Sequence, residues 1–229
     1  MKKIIIKILP IFIFTQLFAV GGFGLQLGQS IFSVDKNLPI NDTDADVYLT
    51  NGAFSNALNL GGYLYLDILP ILDLELDFNF QSNKYDINFS NSNGNMNPIN
   101  FGWASSNIYY TMRKKVIGGG IPLLAKAQLF AGFGFNSHST TPLANEEMIK
   151  SLLNDDLSSN PEDLNKNLEN YLTNKDNYVS STGYHLQTGL QFKLLMLDSF
   201  LFYRHIFVED VIPGSKNFGS FNLRFGAAF

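Results

Sequence analysis

An eight-stranded antiparallel up-and-down transmembrane β-barrel is the all-β fold class that this sequence predicts, and three observations predict it. Apolar and polar residues alternate with period two through most of the chain, the mark of strands with two different faces. The eight alternating stretches are joined by connections that switch strictly between long and short. No stretch beyond residue 20 approaches 18 consecutive apolar residues, so the sequence predicts no membrane-spanning helix.

Composition narrows the classes further. The chain has 229 residues, 21 Phe and 10 Tyr, and 45% of it is hydrophobic while only 16% is charged. A disordered chain is more charged and less aromatic. The chain has no cysteine, which removes disulfide frameworks, Cys-based zinc clusters and a lipid anchor on an N-terminal Cys. The formal charge of −4 argues against nucleic acid as a partner.

The chain opens with Met1-Lys2-Lys3 and Lys7, an apolar run from Ile8 to Phe14 broken by Pro10, and Gln16-Leu17-Phe18-Ala19. This pattern predicts a signal peptide over residues 1–19, with 20–229 as the barrel domain. Cleavage there takes away three lysines, leaving 13 Lys and Arg against 20 acids, a charge of −7. Residues 22–34 form the first strand. In the long segment after it, Asp42-Thr43-Asp44-Ala45-Asp46 resembles the start of a calcium loop, but Val47 and Ala53 stand where that loop needs Gly and Glu. An acidic, solvated loop is the reading, and no metal site is expected.

In the second strand, 58–68, Leu58, Leu60, Leu64, Leu66 and Ile68 alternate with Asn59, Tyr63, Tyr65 and Asp67. Leu69-Pro70 joins it to the third, 72–80, where Leu72, Leu74, Leu76, Phe78 and Phe80 alternate with Asp73, Glu75, Asp77 and Asn79. Residues 82–100 are rich in Asn, Ser and Gly and read as a solvated, mobile loop. The fourth strand covers 101–113, and a Lys114 to Pro122 turn leads to the fifth at 123–136.

The longest connection, about 138–178, carries helix signals. Asn145-Glu146-Glu147 opens one helix bearing Ile149, Leu152, Leu153 and Leu157. Asn160-Pro161-Glu162-Asp163 opens a second bearing Leu164, Leu168, Tyr171 and Leu172, so a helical hairpin is expected over the barrel mouth. Strand six is 184–194, followed by a Leu195 to Asp198 turn and strand seven at 199–209. Strand seven is apolar on both faces. An arginine facing lipid near the midplane costs about 2–4 kcal/mol, so Arg204 is turned inward and His205 outward unless a bulge intervenes. The last strand is 221–229.

Alternation alone does not say which face is wet. Every long loop falls on one rim, and every short turn and both chain ends on the other, which favours a bacterial outer-membrane barrel over a soluble one. Tyr109, Tyr110, Tyr184, Phe133, Phe135, Phe225 and Phe229 lie near strand ends, as interfacial girdles require. The polar faces hold Asp67, Asp73, Glu75 and Asp77 against Lys126, Lys193, Arg204 and Arg224, a balanced set that predicts a paired charge network in the lumen.

The pattern resembles the small eight-stranded outer-membrane barrels of the OmpA and OmpX type. Its most specific element is the last strand, Phe221-Asn222-Leu223-Arg224-Phe225-Gly226-Ala227-Ala228-Phe229, which ends on an aromatic residue. The resemblance implies that Phe229, with Phe225, forms the signal read by the barrel-assembly machinery. No peptidoglycan-binding domain follows Phe229, so the OmpX-like members are nearer, although the long third loop departs from them.

Eight strands leave a lumen just wide enough for its own side chains, so a salt-bridged plug is expected, with Arg224 and Lys193 near Glu75 or Asp77. Tyr203-Arg204-His205 resembles a strand of outer-membrane lipid A deacylases, where a Ser follows the His by two positions. Here Phe207 stands there, and no catalytic residue is expected. His138 is read as a loop residue and His185 as lumen-facing. The glycines of 21–28 and 118–120 read as strand and turn glycines, not phosphate loops. The leading expectation is a monomeric, non-catalytic outer-membrane protein without a cofactor. Its partners would be outer-membrane lipid, lipopolysaccharide and the assembly machinery, and it would act in envelope structure or surface interaction through its loops. Passage of a small or hydrophobic solute is the alternative, and a soluble secreted lipocalin-like barrel the third reading.

Overall fold

The computed structural model describes residues 21–36, 40–42, 47–67, 72–95, 97–121, 124–156, 158–160 and 163–229. Residues 1–19, most of the 42–46 acidic run, Leu69-Pro70, Pro122, Leu157 and Pro161-Glu162 lie outside them. In chain order the strands are β1 (Gly21–Val34), β2 (Ile40–Asp42), β3 (Val47–Asn51), β4 (Phe54–Leu66), β5 (Asp73–Asn91), β6 (Gly94–Asn95), β7 (Ile99–Ile121) and β8 (Ala125–Thr140). Helices α1 (Glu146–Leu152) and α2 (Leu164–Thr173) follow, then β9 (Val179–Leu194), β10 (Leu197–Phe207) and β11 (Asn217–Ala228).

Eight of these strands form a closed antiparallel ring in the order β1, β4, β5, β7, β8, β9, β10, β11 and back to β1. The short strands β2, β3 and β6 extend the sheet beyond the ring. Backbone bonds in both directions between Gly21 and Phe229 complete the seam. The paired residues Ile121, Ala125, Leu194, Leu197, Ala227, Phe23, Leu64 and Leu76 lead once round the ring and return to β7 at Tyr110. That is a displacement of eleven residues on β7, one of them the bulge between Lys115 and Ile117. Such a stagger on eight strands requires a tilt of about 40–45°.

The outer face explains the leucines and phenylalanines. Phe23, Leu25, Leu58, Leu60, Leu74, Phe78, Leu190, Phe192, Leu201 and Phe225 all stand exposed on the outside of the ring. From Leu197 to Phe207 a strand at this tilt rises roughly 25 Å, the height of a hydrocarbon band. Above the band the outward residues turn polar: Phe80 gives way to Ser82, Lys84, Asp86 and Asn88 on β5, and Tyr184 to Thr182 and Ser180 on β9.

Four expectations are corrected. Residues 82–91 are not a solvated loop but the upper part of β5, because the alternation continues in Tyr85, Ile87 and Phe89, all buried. The stretch 114–121 is strand rather than turn, since the ring's stagger carries β7 on to Ile121. The turn before β10 is only Leu195-Met196, with Leu195 at a φ of +56°, so Asp198 lies in the strand and faces inward. Tyr109 is no girdle residue. It occupies an inward position and is 4% exposed, while its neighbour Tyr110 faces out at 56%.

Above the ring lies an apolar core. Phe32 packs on Trp103 with ring centroids 5.3 Å apart, and Phe54 stacks on Tyr85 at 5.3 Å. Met148, Ile149 and Leu152 of α1 and Leu164 of α2 join Ile87, Phe101 and Val211 in the same cluster. The helices begin where the sequence expects them, but they are short. Asn145 caps α1 by accepting from the Met148 N–H at 2.8 Å, and Asp163 precedes α2. Side chains staple this head to the strands: Ala144 N–H donates to the Tyr85 hydroxyl at 3.0 Å, and Asn51 Nδ2 donates to the Ala144 carbonyl at 2.7 Å.

Candidate functional site

The inward positions of the eight strands build the lumen in layers. Cross-strand register does most of the positioning. It sets Asp73 opposite Arg113, Arg204 opposite Gln187 and Arg224 opposite Gln26. Closure of the ring then brings β5 face to face with β10 and β11 across the lumen.

The central layer is a carboxylate pair, Glu75 and Asp77, held by three buried arginines. Arg224 Nη1 lies 2.9 Å from Glu75 Oε1 and its Nη2 lies 2.6 Å from Asp77 Oδ1. Arg204 Nη2 pairs with Asp77 Oδ2 and is 3.7 Å from Glu75 Oε1. Arg113 Nη1 is 3.5 Å from Glu75 Oε2, while its Nη2 reaches Asp67 and Asp73 at 3.4 Å each. Burying a charge costs several kcal/mol per ion unless partners replace its water. Here the replacement has three components. The first is the ion pairs themselves. The second is an amide belt: Gln187 Nε2 donates to Glu75 at 3.0 Å, its Oε1 accepts from Arg204, and Gln26 Oε1 accepts from Arg224 Nε at 2.6 Å. The third is aromatic. Arg204 lies 4.0 Å from the Tyr109 ring centroid, Arg224 4.3 Å from Phe202, and Arg113 is ringed by Tyr65, Phe130 and Phe200 at 4.9–5.1 Å.

Of the eight charges that the sequence placed in the lumen, the structure joins six: Asp67, Asp73, Glu75, Asp77, Arg204 and Arg224. Lys126 and Lys193 are corrected. They stand opposite each other on β8 and β9 at the short-turn rim, half-buried, and neither makes an ion pair with an acid among the described residues. The physical reason is axial height: both lie near the ends of their strands, whereas the carboxylates sit further up.

Arg113 takes the role given to Lys193. It ends the predicted 101–113 strand, where only its continuation of the inward alternation of Tyr109 and Thr111 marks it as a lumen residue. Asp198 falls in the expected Leu195 to Asp198 turn but lies in β10. It accepts from the Tyr65 hydroxyl and, at 2.7 Å, from Gln191 Nε2.

His138 is also corrected. It is on β8 and inward, with Nδ1 2.5 Å from Asn107 Oδ1 and Nε2 2.9 Å from Asn136 Oδ1. His185 faces the lumen, its Nε2 2.9 Å from the Thr111 hydroxyl. Tyr109 stands between the two imidazoles, edge-on to both. On β10, Arg204 points inward and His205 outward, where the Tyr203 hydroxyl and His205 Nδ1 are 3.2 Å apart. Phe225 and Phe229 face outward, 57% and 63% exposed. Among the described residues no three His, Asp or Glu side chains converge on a possible metal position.

Asp67 lies just beyond β4, outside the spanning strands. Burial and the nearby Asp73 push its carboxyl up to about 6, with Arg113 opposing them. An acid whose folded pKa is raised holds its proton more tightly when folded. Its contribution to stability is therefore present below the ordinary aspartate value of 3.8 and is lost as pH rises from there to about 6. The expected result is that Asp67→Asn is more stable than wild type at pH 7 by a margin that shrinks towards pH 4. Urea unfolding of refolded protein at the two pH values checks it.

A closed hydrogen-bonded ring, an apolar belt about one hydrocarbon thickness high and a lumen filled with paired charges satisfy together what a bilayer demands of a spanning sheet. The chain folds as an eight-stranded transmembrane β-barrel. No protein-family model matches this sequence, and no curated protein matches it. Among solved structures the barrel is similar to Ail, the attachment invasion locus protein of Yersinia pestis, in complex with the heparin analogue sucrose octasulfate. The two are 11% identical with a TM-score of 0.41, covering 91% of this chain and 99% of that one. It is similar to the outer-membrane protein OprG from Pseudomonas aeruginosa at 11% identity and a TM-score of 0.44, covering 91% and 94%. For the outer-membrane protease OmpT from Escherichia coli the values are 10%, 0.31, 91% and 93%. These are likenesses of general shape between very different sequences.

Proposed function

We propose that this outer-membrane barrel is a non-catalytic, non-conducting scaffold that acts through its external head. One observation supports the reading above others: the lumen is obstructed twice. The charged layer of Glu75, Asp77, Arg113, Arg204 and Arg224 fills it at mid-height, and the apolar core around Trp103 covers it from outside. An ion crossing such a barrel would have to break several buried pairs at once and then cross an apolar layer. A head fixed to rigid strands suits recognition, since exposed loops on a stiff scaffold commonly carry binding. On this reading the barrel is a monomer in lipid and lipopolysaccharide, and the outward Phe225 and Phe229 are the surface read by the assembly machinery.

Planar-bilayer recording on the refolded full chain tests the proposal. The expected trace has no steady conductance at neutral pH. A stable open level overturns the scaffold reading in favour of solute passage.

A further inference from the structure

Three polar side chains face lipid on the external side of the apolar band, on β1 and β10. On β1 the exposed Gln29 has Leu27 below it and Ile31 above, both exposed. On β10 Tyr203 and His205 have Leu201 below and Phe207 above, all on the same outward face. Two residues at the barrel's tilt span roughly 5 Å, so Gln29 and His205 lie about that far beneath the rim marked by Ile31 and Phe207. Register gathers the three around Gly219. Gln29 is opposite Phe221 and Phe221 opposite Tyr203, while Gly219 is opposite both Ile31 and His205. Tyr203 leans over Gly219, where a Cβ would collide with its hydroxyl, and this lifts the hydroxyl to the depth of His205. The Tyr203 hydroxyl and His205 Nδ1 are 3.2 Å apart. Other hydroxyls of the lipid face look after themselves: Thr188 and Ser199 donate to backbone carbonyls of the neighbouring strand. The Gln29 amide and His205 Nε2 have no such partner among the described residues. A polar group held in hydrocarbon is costly, and its cost marks the place of a partner.

We propose that Gln29, Tyr203 and His205 form a docking site for the hydroxyl- and amide-bearing acyl linkages of a lipopolysaccharide molecule in the outer leaflet. Depth is the first argument. Acyl chains join their headgroup at the top of the hydrocarbon layer, where these three groups lie, and the outward residues beneath them, Leu27, Leu201 and Leu223, are ordinary lipid contacts. Hydrogen-bond chemistry is the second. With Tyr203 donating to Nδ1, His205 Nε2 carries the ring hydrogen and is a free donor, while Gln29 offers both a donor and an acceptor. The ester carbonyls of a glycerophospholipid only accept, and they leave Gln29 Oε1 unmatched. A hydroxyacyl amide donates as well as accepts, so it satisfies both residues. A second barrel would bring mainly its own exposed leucines and phenylalanines to this face, and those satisfy neither. The site rests on the outer-membrane placement proposed above but not on conductance. A conducting barrel that keeps its lipopolysaccharide ends the scaffold reading and leaves this site standing.

The test uses the full chain refolded in nonionic detergent micelles with equal amounts of lipid A and phosphatidylglycerol. Both lipids are anionic, and only lipid A carries hydroxyacyl amides. Native mass spectrometry of the wild-type barrel shows a retained lipid, with lipid A favoured about tenfold over phosphatidylglycerol. The double variant Q29L/H205L keeps the gel shift on boiling, because leucine suits the lipid face, and loses that preference. Tyr203→Phe removes only the hydroxyl and lowers the preference in a barrel of nearly unchanged volume. Equal retention of the two lipids, a preference for lipid A that is unchanged in either variant, or a retained dimer in place of the lipid each overturns the proposal.

Discussion

Glu75→Ala lowers the unfolding free energy of the refolded barrel by about 3–5 kcal/mol, the cost of breaking a buried ion pair from one side. Glu75 is fully buried and lies within 3.7 Å of three guanidinium groups. Its removal leaves Arg204 and Arg224 to share Asp77, while Arg113 keeps only the more peripheral Asp67 and Asp73, whose side chains are 20% exposed. Glu75→Gln keeps the volume and the bond to Gln187 but not the charge, so it retains part of that loss. The double variant E75L/R224M loses less than the sum of its single changes, because each single change strands a charge and the pair strands fewer. Urea unfolding in lipid vesicles, read by gel migration with and without boiling, measures these proteins together with the single variants E75L and R224M. Equal stability of Glu75→Ala and wild type would show that water enters the lumen freely and that the layer is not a plug.

Trp103→Ala has an effect of similar size confined to the external head. The indole is 0% exposed and touches Phe32 and Phe54, and large-to-Ala changes in a packed core cost about 3–5 kcal/mol. The loss falls on the head, not on the ring, because Trp103 lies above the charged layer. The gel shift on boiling therefore survives, while limited proteolysis cuts the 141–178 segment much faster than in wild type. Loss of the gel shift itself would mean that head and barrel fold as one unit.

Much of the architecture was legible in the sequence because a strand has a period of two and a membrane punishes error. The run from Asp73 to Phe80 assigns each residue to lipid or lumen without any knowledge of its neighbours. The same logic turned Arg204 inward, since the alternative exposes a guanidinium to hydrocarbon. It failed where a strand outlasts its lipid belt. At Tyr85, Ile87 and Phe89 the inward face changes from amide to apolar while the outward face becomes Lys84, Asp86 and Asn88. The alternation is then reversed in polarity, and the stretch reads as a polar loop although it is a buried strand.

Site partners were less legible than faces. Nothing local distinguishes Arg113, which holds three carboxylates, from Lys193, which holds none among the described residues. The difference is axial height, and height depends on where each strand starts and on the stagger accumulated round the ring. Arg224 meets Glu75, far away in sequence, because β11 and β5 face each other once the ring closes. By itself the sequence determined the eight strands of the ring, the lipid and lumen faces, the lopsided loops and the presence of balanced charge inside. Only the tertiary structure decided which charges meet, that the external segments fold into an apolar head, and that β7 runs on to Ile121. The physical reason is that facing is a property of each residue's own strand, whereas pairing is set by closure and register, which belong to all eight strands together.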